Sequence, residues 1–411
     1  MDRRRFVQLA GSGLAGSALA AGGGSAQRAE GVRTLDGVPP LVSRQGKQCT
    51  LMGSLEAVLQ YHGEAYDYAD LMGLSGAAFR VRVAYPTTDR IMGGRIHPGI
   101  SVDASVGPHV QALLDATGFE REVDAAVFHG ENGEQTVAGR VEREIDEGRP
   151  VIAMNLEGAS CWGVIAGYDP SIPPTDADGE WQGRRYLCRT YYDAPRSAYV
   201  PAPRFPWDVY FIRRAGEPLL PEEAARRSVE GAVRLLETEH GTVTGPMAWM
   251  WFWRPDYVNG LAAYAAWVED LQDEAGIAKL TPAQFLMYWQ GHAWMYDQLH
   301  DARRAAADYL QRIAPRFGDR EARLLVEASG RYDDLVEHMT RNWHCFPYSQ
   351  DGYIEPDTGW WIRVEHEEFL GTQIPSYAGE WTADMRRAGA DILAALRQKD
   401  EQALAPLREL A

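Results

Sequence analysis

The spacing of apolar residues divides the chain into two stretches with different habits. From residue 37 to 215 helical and strand patterns are mixed. Residues 50–62 place Leu51, Met52, Leu55, Val58 and Leu59 on one helical face, and Gly63 ends the run. Residues 106–117 predict a second helix, stopped at Gly118, and residues 136–146 a third, followed by Gly148-Arg149-Pro150. The period then changes. Residues 151–154 and 162–168 are short apolar runs of the kind a buried strand needs. Residues 186–192 and 208–213 predict two more strands, and 170–183 is a polar loop rich in Pro and Asp. Helices first and neighbouring strands afterwards point to an α+β fold with an antiparallel sheet, not to the regular alternation that builds a parallel one.

Gly216-Glu217-Pro218 marks a boundary. Beyond it the spacing is helical over 221–239, 257–274, 282–313 (as one helix or two), 319–343 and 380–396, interrupted by a looped stretch at 345–377. No fixed-period repeat emerges, so a solenoid is not indicated. The expectation is a mixed unit over 37–215 and an all-helical unit over 216–411.

Residues 1–30 stand apart. Asp2-Arg3-Arg4-Arg5-Phe6-Val7-Gln8 resembles the twin-arginine export motif, and a weakly apolar run rich in Ala, Gly and Ser follows at 9–21. That run is too short and too small-sided to span a bilayer. Small residues at Ala18-Leu19-Ala20 or Gly24-Ser25-Ala26 offer cleavage sites. The expected address is the periplasm or the extracellular space, with no stable membrane insertion after cleavage.

Charge then narrows the partners. The formal net charge is −17, and loss of residues 1–26, with their three arginines and one aspartate, brings it near −19. Such a chain repels nucleic acid and anionic lipid and suits a small-molecule or peptide substrate. Cys49, Cys161, Cys188 and Cys345 are the four cysteines, an even count that permits disulfides in an exported chain without making a disulfide scaffold. No CxxC or HExxH occurs, the ten histidines lack metal-ligand spacing, and no cofactor is implied.

The chemistry is concentrated at Gln45-Gly46-Lys47-Gln48-Cys49-Thr50. A cysteine at the start of an amphipathic helix meets unpaired N–H groups and the positive end of the helix dipole, which favour its thiolate. A side-chain amide just upstream, Gln48 or Gln45, can donate to an oxyanion. Other features are read as packing or solvated surface: the tryptophan alternation at Trp249, Trp251 and Trp253, the pair Trp360-Trp361, the acidic run Glu365-His366-Glu367-Glu368, and the series Phe285, Met287, Trp289, Trp294 and Leu299.

Gly148-Arg149-Pro150-Val151-Ile152, followed by Trp162-Gly163-Val164-Ile165-Ala166-Gly167-Tyr168-Asp169, resembles the strand pair of the papain-like "peptidase C39-like" domains. It is also similar to the N-terminal domain of the butirosin biosynthesis protein H family, as is Leu71-Met72-Gly73-Leu74-Ser75-Gly76-Ala77-Ala78-Phe79-Arg80. The resemblance covers about residues 40–213. It implies a cysteine hydrolase or an acyltransferase with Cys49 as nucleophile, and a third residue after the next strand at Asp193. Where those families carry their catalytic histidine, this chain has Cys161. Three readings follow from that departure. Another base, His97 or His109, serves Cys49; or the site is a pseudo-enzyme that binds a ligand in the cell envelope; or Cys49 and Cys161 form a disulfide.

Overall fold

The computed structural model describes residues 31–41, 47–84, 109–157, 161–173, 183–191, 198–242, 256–348, 353–354, 361–362 and 379–411. The mixed unit is built on a seven-stranded antiparallel sheet. Its strands are β1 (Arg33–Thr34), β3 (Phe119–Asp124), β4 (Val151–Met154), β5 (Trp162–Tyr168), β6 (Tyr186–Arg189), β7 (Val200–Pro201) and β8 (Val209–Arg214). They run in the order β3-β8-β4-β5-β6-β7, with β1 on the end of β5. The α+β class with an antiparallel sheet is thus present, and β4, β5 and β6 are sheet neighbours as well as sequence neighbours.

Why β4 and β5 read as unbroken apolar runs is now visible: every residue of both is buried. Alternate side chains go to opposite faces. Ile152, Met154, Trp162, Val164 and Ala166 join the cluster that contains Leu51, Met52, Leu55, Val58 and Leu59 of α1 (Thr50–Tyr61). Val151, Ala153 and Ile165 meet Val137, Val141 and Ile145 of α4 (Gly133–Asp146) on the other side. The first helix therefore lies on one face of the sheet with its N-terminus near the start of β5. Between α1 and α4 come α2 (Tyr68–Leu74) and α3 (His109–Thr117).

The second half is helical: α5 (Pro221–Glu237), α6 (Gly260–Gln272), the single turn α7 (Glu274–Ile277), α8 (Pro282–Ile313), α9 (Asp319–Arg341) and α10 (Ala383–Arg408). α8 is one continuous helix of 32 residues, opened by a capping box between Thr281 and Gln284. It packs on α2 and α9, while α10 packs on α9 and α6. The two halves are joined intimately. A second sheet sets β2 (Arg82–Ala84) beside β10 (Asp256–Asn259) and β9 (His240–Thr242), and one buried apolar cluster runs from Val38 to Leu407.

Several expected boundaries move. The helix predicted over 257–274 is a strand followed by α6, because residues 256–259 pair with β2 and the chain turns at Gly260, whose φ is +59°. A Cβ there would lie 2.2 Å from the Leu236 carbonyl oxygen, so a side chain could not be accommodated. α10 runs past residue 396 to Arg408 and takes Pro406 into its last turn. The stretch read as loop at 345–377 contains a hairpin of β11 (Tyr353–Ile354) and β12 (Trp361–Ile362). β6 ends at Arg189, short of residue 192. Among the described residues no helix is long and apolar enough to cross a membrane.

Candidate functional site

Cys49 is the N-cap residue of α1, in extended conformation, and is only 3% exposed. The start of β5 abuts it through the backbone. The Trp162 N–H donates to Thr50 Oγ1 at 3.0 Å, linking the residue after Cys49 to the residue after Cys161. Residues 155 and 161 are tied together. The Asn155 N–H donates to the Cys161 carbonyl at 2.8 Å, Asn155 itself adopts a left-handed φ of +71°, and its Oδ1 accepts from Arg204 at 3.2 Å.

Tyr191, just beyond β6, points its hydroxyl at the first turns of α1. A Cβ on Gly53 would lie 1.7 Å from that oxygen, so only glycine leaves the phenol its place. Tyr191 is buried and its hydroxyl has no hydrogen-bond partner among the described residues. Burial raises the phenol well above its ordinary range, and Cys49, Glu56, Asp301 and Cys161 add to the effect. Both thiols are therefore within electrostatic reach of one hydroxyl.

The amides at the start of α1 are met from elsewhere in the chain. The Cys49 N–H donates to the Tyr68 hydroxyl oxygen at 2.9 Å, and that hydroxyl donates to Asp301 Oδ2 at 2.5 Å. The Gln48 N–H donates to the same carboxylate oxygen at 3.1 Å, while Arg304 donates to Oδ1 at 2.8 Å. Burial raises the Asp301 carboxyl, opposed by Arg304 and by these hydrogen bonds. Glu56 accepts from the Tyr68 N–H at 3.1 Å and pairs with Lys47 at 2.5 Å.

All four cysteines are free thiols. Burial pushes the Cys161 thiol up to about 12, with Glu157 adding to the rise and Arg204 opposing it. A thiol so placed stays protonated at neutral pH and is a poor proton acceptor. Three of the described histidines are engaged elsewhere: His129 with Asp124, His292 with Trp267 and Asp270, His300 with Thr340.

Of the residues singled out in the sequence, Cys49, Gln48 and Cys161 are brought to one place, Gln48 through its backbone. Gln45, His97 and Asp193 lie outside the described residues, as do Trp249, Trp251, Trp253, Trp360 and the acidic run around His366. His109 opens α3, its side chain outside the description. Trp289 and Leu299 are core residues, and the Trp289 indole donates to the Pro347 carbonyl. Sequence reasoning missed Tyr68, Tyr191 and Asp301. Asp67-x-x-Asp70, the capping box that starts α2, was a signal for the helix holding Tyr68. Asp301 had none, being 253 residues from the amide it meets.

Chemically the arrangement offers a thiol at a helix N-terminus, phenol donors around it, and a second, neutral thiol. Among the described residues no cluster of three or more His, Cys, Asp or Glu is placed to hold a metal ion. No protein-family model matches the chain, and no curated protein matches it.

Proposed function

We propose that the chain is an exported papain-like cysteine protein of the hydrolase or acyltransferase type, acting on a small-molecule or peptide substrate. Cys49 is the reactive thiol, and Cys161 stands where the resembled families carry histidine. The observation that carries this reading is the 3.0 Å hydrogen bond from the Trp162 N–H to Thr50 Oγ1, which sets the start of the first helix against the start of the tryptophan-glycine strand. In acyl transfer the base would take the Cys49 proton, the sulfur would bond to a carbonyl carbon while amide donors at the helix start hold the oxyanion, and collapse would expel the leaving group with that proton to leave a thioester on Cys49. The base in this reading is His97 or His109.

A second reading is favoured by a specific observation. The Cys161 thiol is held protonated, which suits a pseudo-enzyme that binds a ligand without a catalytic dyad.

Alkylation of the purified protein with iodoacetamide, read peptide by peptide over a pH series, separates the two. An activated Cys49 alkylates with a midpoint clearly below the ordinary thiol value of about 8.5. A Cys161→His variant should lower that midpoint further by pairing the thiolate with an imidazolium. A midpoint at the ordinary value in both proteins would end the enzymatic reading and leave the binding one.

A further inference from the structure

The helix start that bears Cys49 is occupied by the chain itself. A backbone N–H at a nucleophile on a helix N-terminus is a natural donor to a developing oxyanion. Here the Cys49 N–H is directed at the Tyr68 hydroxyl oxygen, and the next amide upstream, from Gln48, is directed at Asp301. Tyr68 lies on α2 and Asp301 on α8, so the occupant is assembled from both halves of the molecule.

Helix capping does not account for this. An N-cap side chain accepts from the N2 or N3 amide, whereas the amides met here are those of the N-cap residue itself and of the residue before it. The acceptor of the Gln48 N–H is a carboxylate delivered from 253 residues away. Burying that carboxylate, 2% exposed, costs desolvation. Three donors offset the cost: the Gln48 N–H, the Tyr68 hydroxyl and the Arg304 guanidinium. One donor beside Cys49 is left over. The Tyr191 hydroxyl lies against Gly53 with no partner among the described residues.

We infer that Tyr68 and Asp301 form an autoinhibitory latch, in which the Tyr68 hydroxyl, held by Asp301 from the helical half, fills the oxyanion position at Cys49 and keeps the thiol shut. On withdrawal of the latch the Cys49 N–H and the Tyr191 hydroxyl become the two donors that face a substrate carbonyl. The inference rests on Cys49 being the functional thiol, but its test reads access and not turnover.

The test is alkylation of the full chain by iodoacetamide, comparing Cys49 with the buried Cys188 as an internal reference, in wild type, Asp301→Ala and Tyr68→Phe. The latch predicts that each variant alkylates Cys49 roughly tenfold faster, the effect of one hydrogen bond to a charged group, while the Cys188 rate stays at the wild-type value. Tyr68→Phe keeps the ring and decides alone if Asp301→Ala does not fold. Folded variants whose Cys49 rate is unchanged, or rises only in step with Cys188, overturn the latch. Selective opening of Cys49 with an ordinary-thiol pH midpoint keeps the latch and removes the acyl-transfer reading.

Discussion

At the scale of single residues, the centre of the molecule is governed by how buried polar groups are satisfied. Asp301 is surrounded by donors, whereas Asp297, one helical turn earlier, has less support. Its Oδ2 accepts from the Tyr348 hydroxyl at 3.0 Å. Burial raises its carboxyl well above the ordinary value of 3.8, and Asp301 adds to the rise. A carboxyl raised in the folded state binds its proton more tightly there than in the unfolded chain. Its stabilising contribution is full below the ordinary carboxylate range and is lost as pH rises through the elevated midpoint. Asp297→Asn, neutral at every pH, keeps an acceptor for Tyr348 and removes that loss. The drop in melting temperature from acid to neutral pH should be smaller in the variant than in wild type. An identical drop in both would show that Asp297 is not held protonated by folding.

At the scale of elements, what can be read from the sequence divides along a physical line. β4, β5, α1 and α4 were legible because each is specified locally, by a run or period of apolar residues that one buried face requires. β3 was not, since Phe119 and Val123 are its only apolar residues and its place at the sheet edge comes from pairing with β8. The strand over Asp256–Asn259 carries an apolar spacing that a helix could also use, and only its pairing with β2 decides the matter. The same division holds at the site. Cys49 announced itself by standing before a helix, but Asp301 sits in a helix whose sequence says nothing of a partner 253 residues away.

Long-range polar contacts of this kind also fix α8. Arg303 is fully buried, pairs with Asp400 of α10 at 2.5 Å, and donates to the Ala78 carbonyl at 2.8 Å, in the turn that follows α2. Tyr264 donates to the same Asp400 oxygen at 2.7 Å. Arg303→Met leaves a buried carboxylate uncompensated and should cost about 3–5 kcal/mol in urea unfolding. Combining it with Asp400→Leu should recover part of that loss. A double variant as unstable as the sum of the two single ones would contradict the pairing.

At the scale of the whole molecule, the expected boundary near residue 216 does mark where sheet gives way to helix, yet packing ignores it. The apolar cluster, the sheet of β2, β10 and β9, and the Asp301 contacts all cross from one half to the other. The helical half is thus a wall of the Cys49 site and not a separate appendage. The central proposal is that Cys49 and Cys161, whose neighbours Thr50 and Trp162 are hydrogen-bonded, lie close enough to act as a pair. Its most direct test is mild oxidation with diamide of a chain carrying Cys188→Ser and Cys345→Ser, followed by peptide mapping without reductant. The account predicts an intramolecular link between residues 49 and 161, formed faster when Asp301→Ala opens the latch. Separate labelling of the two thiols, with no linked peptide even in the opened variant, would contradict it.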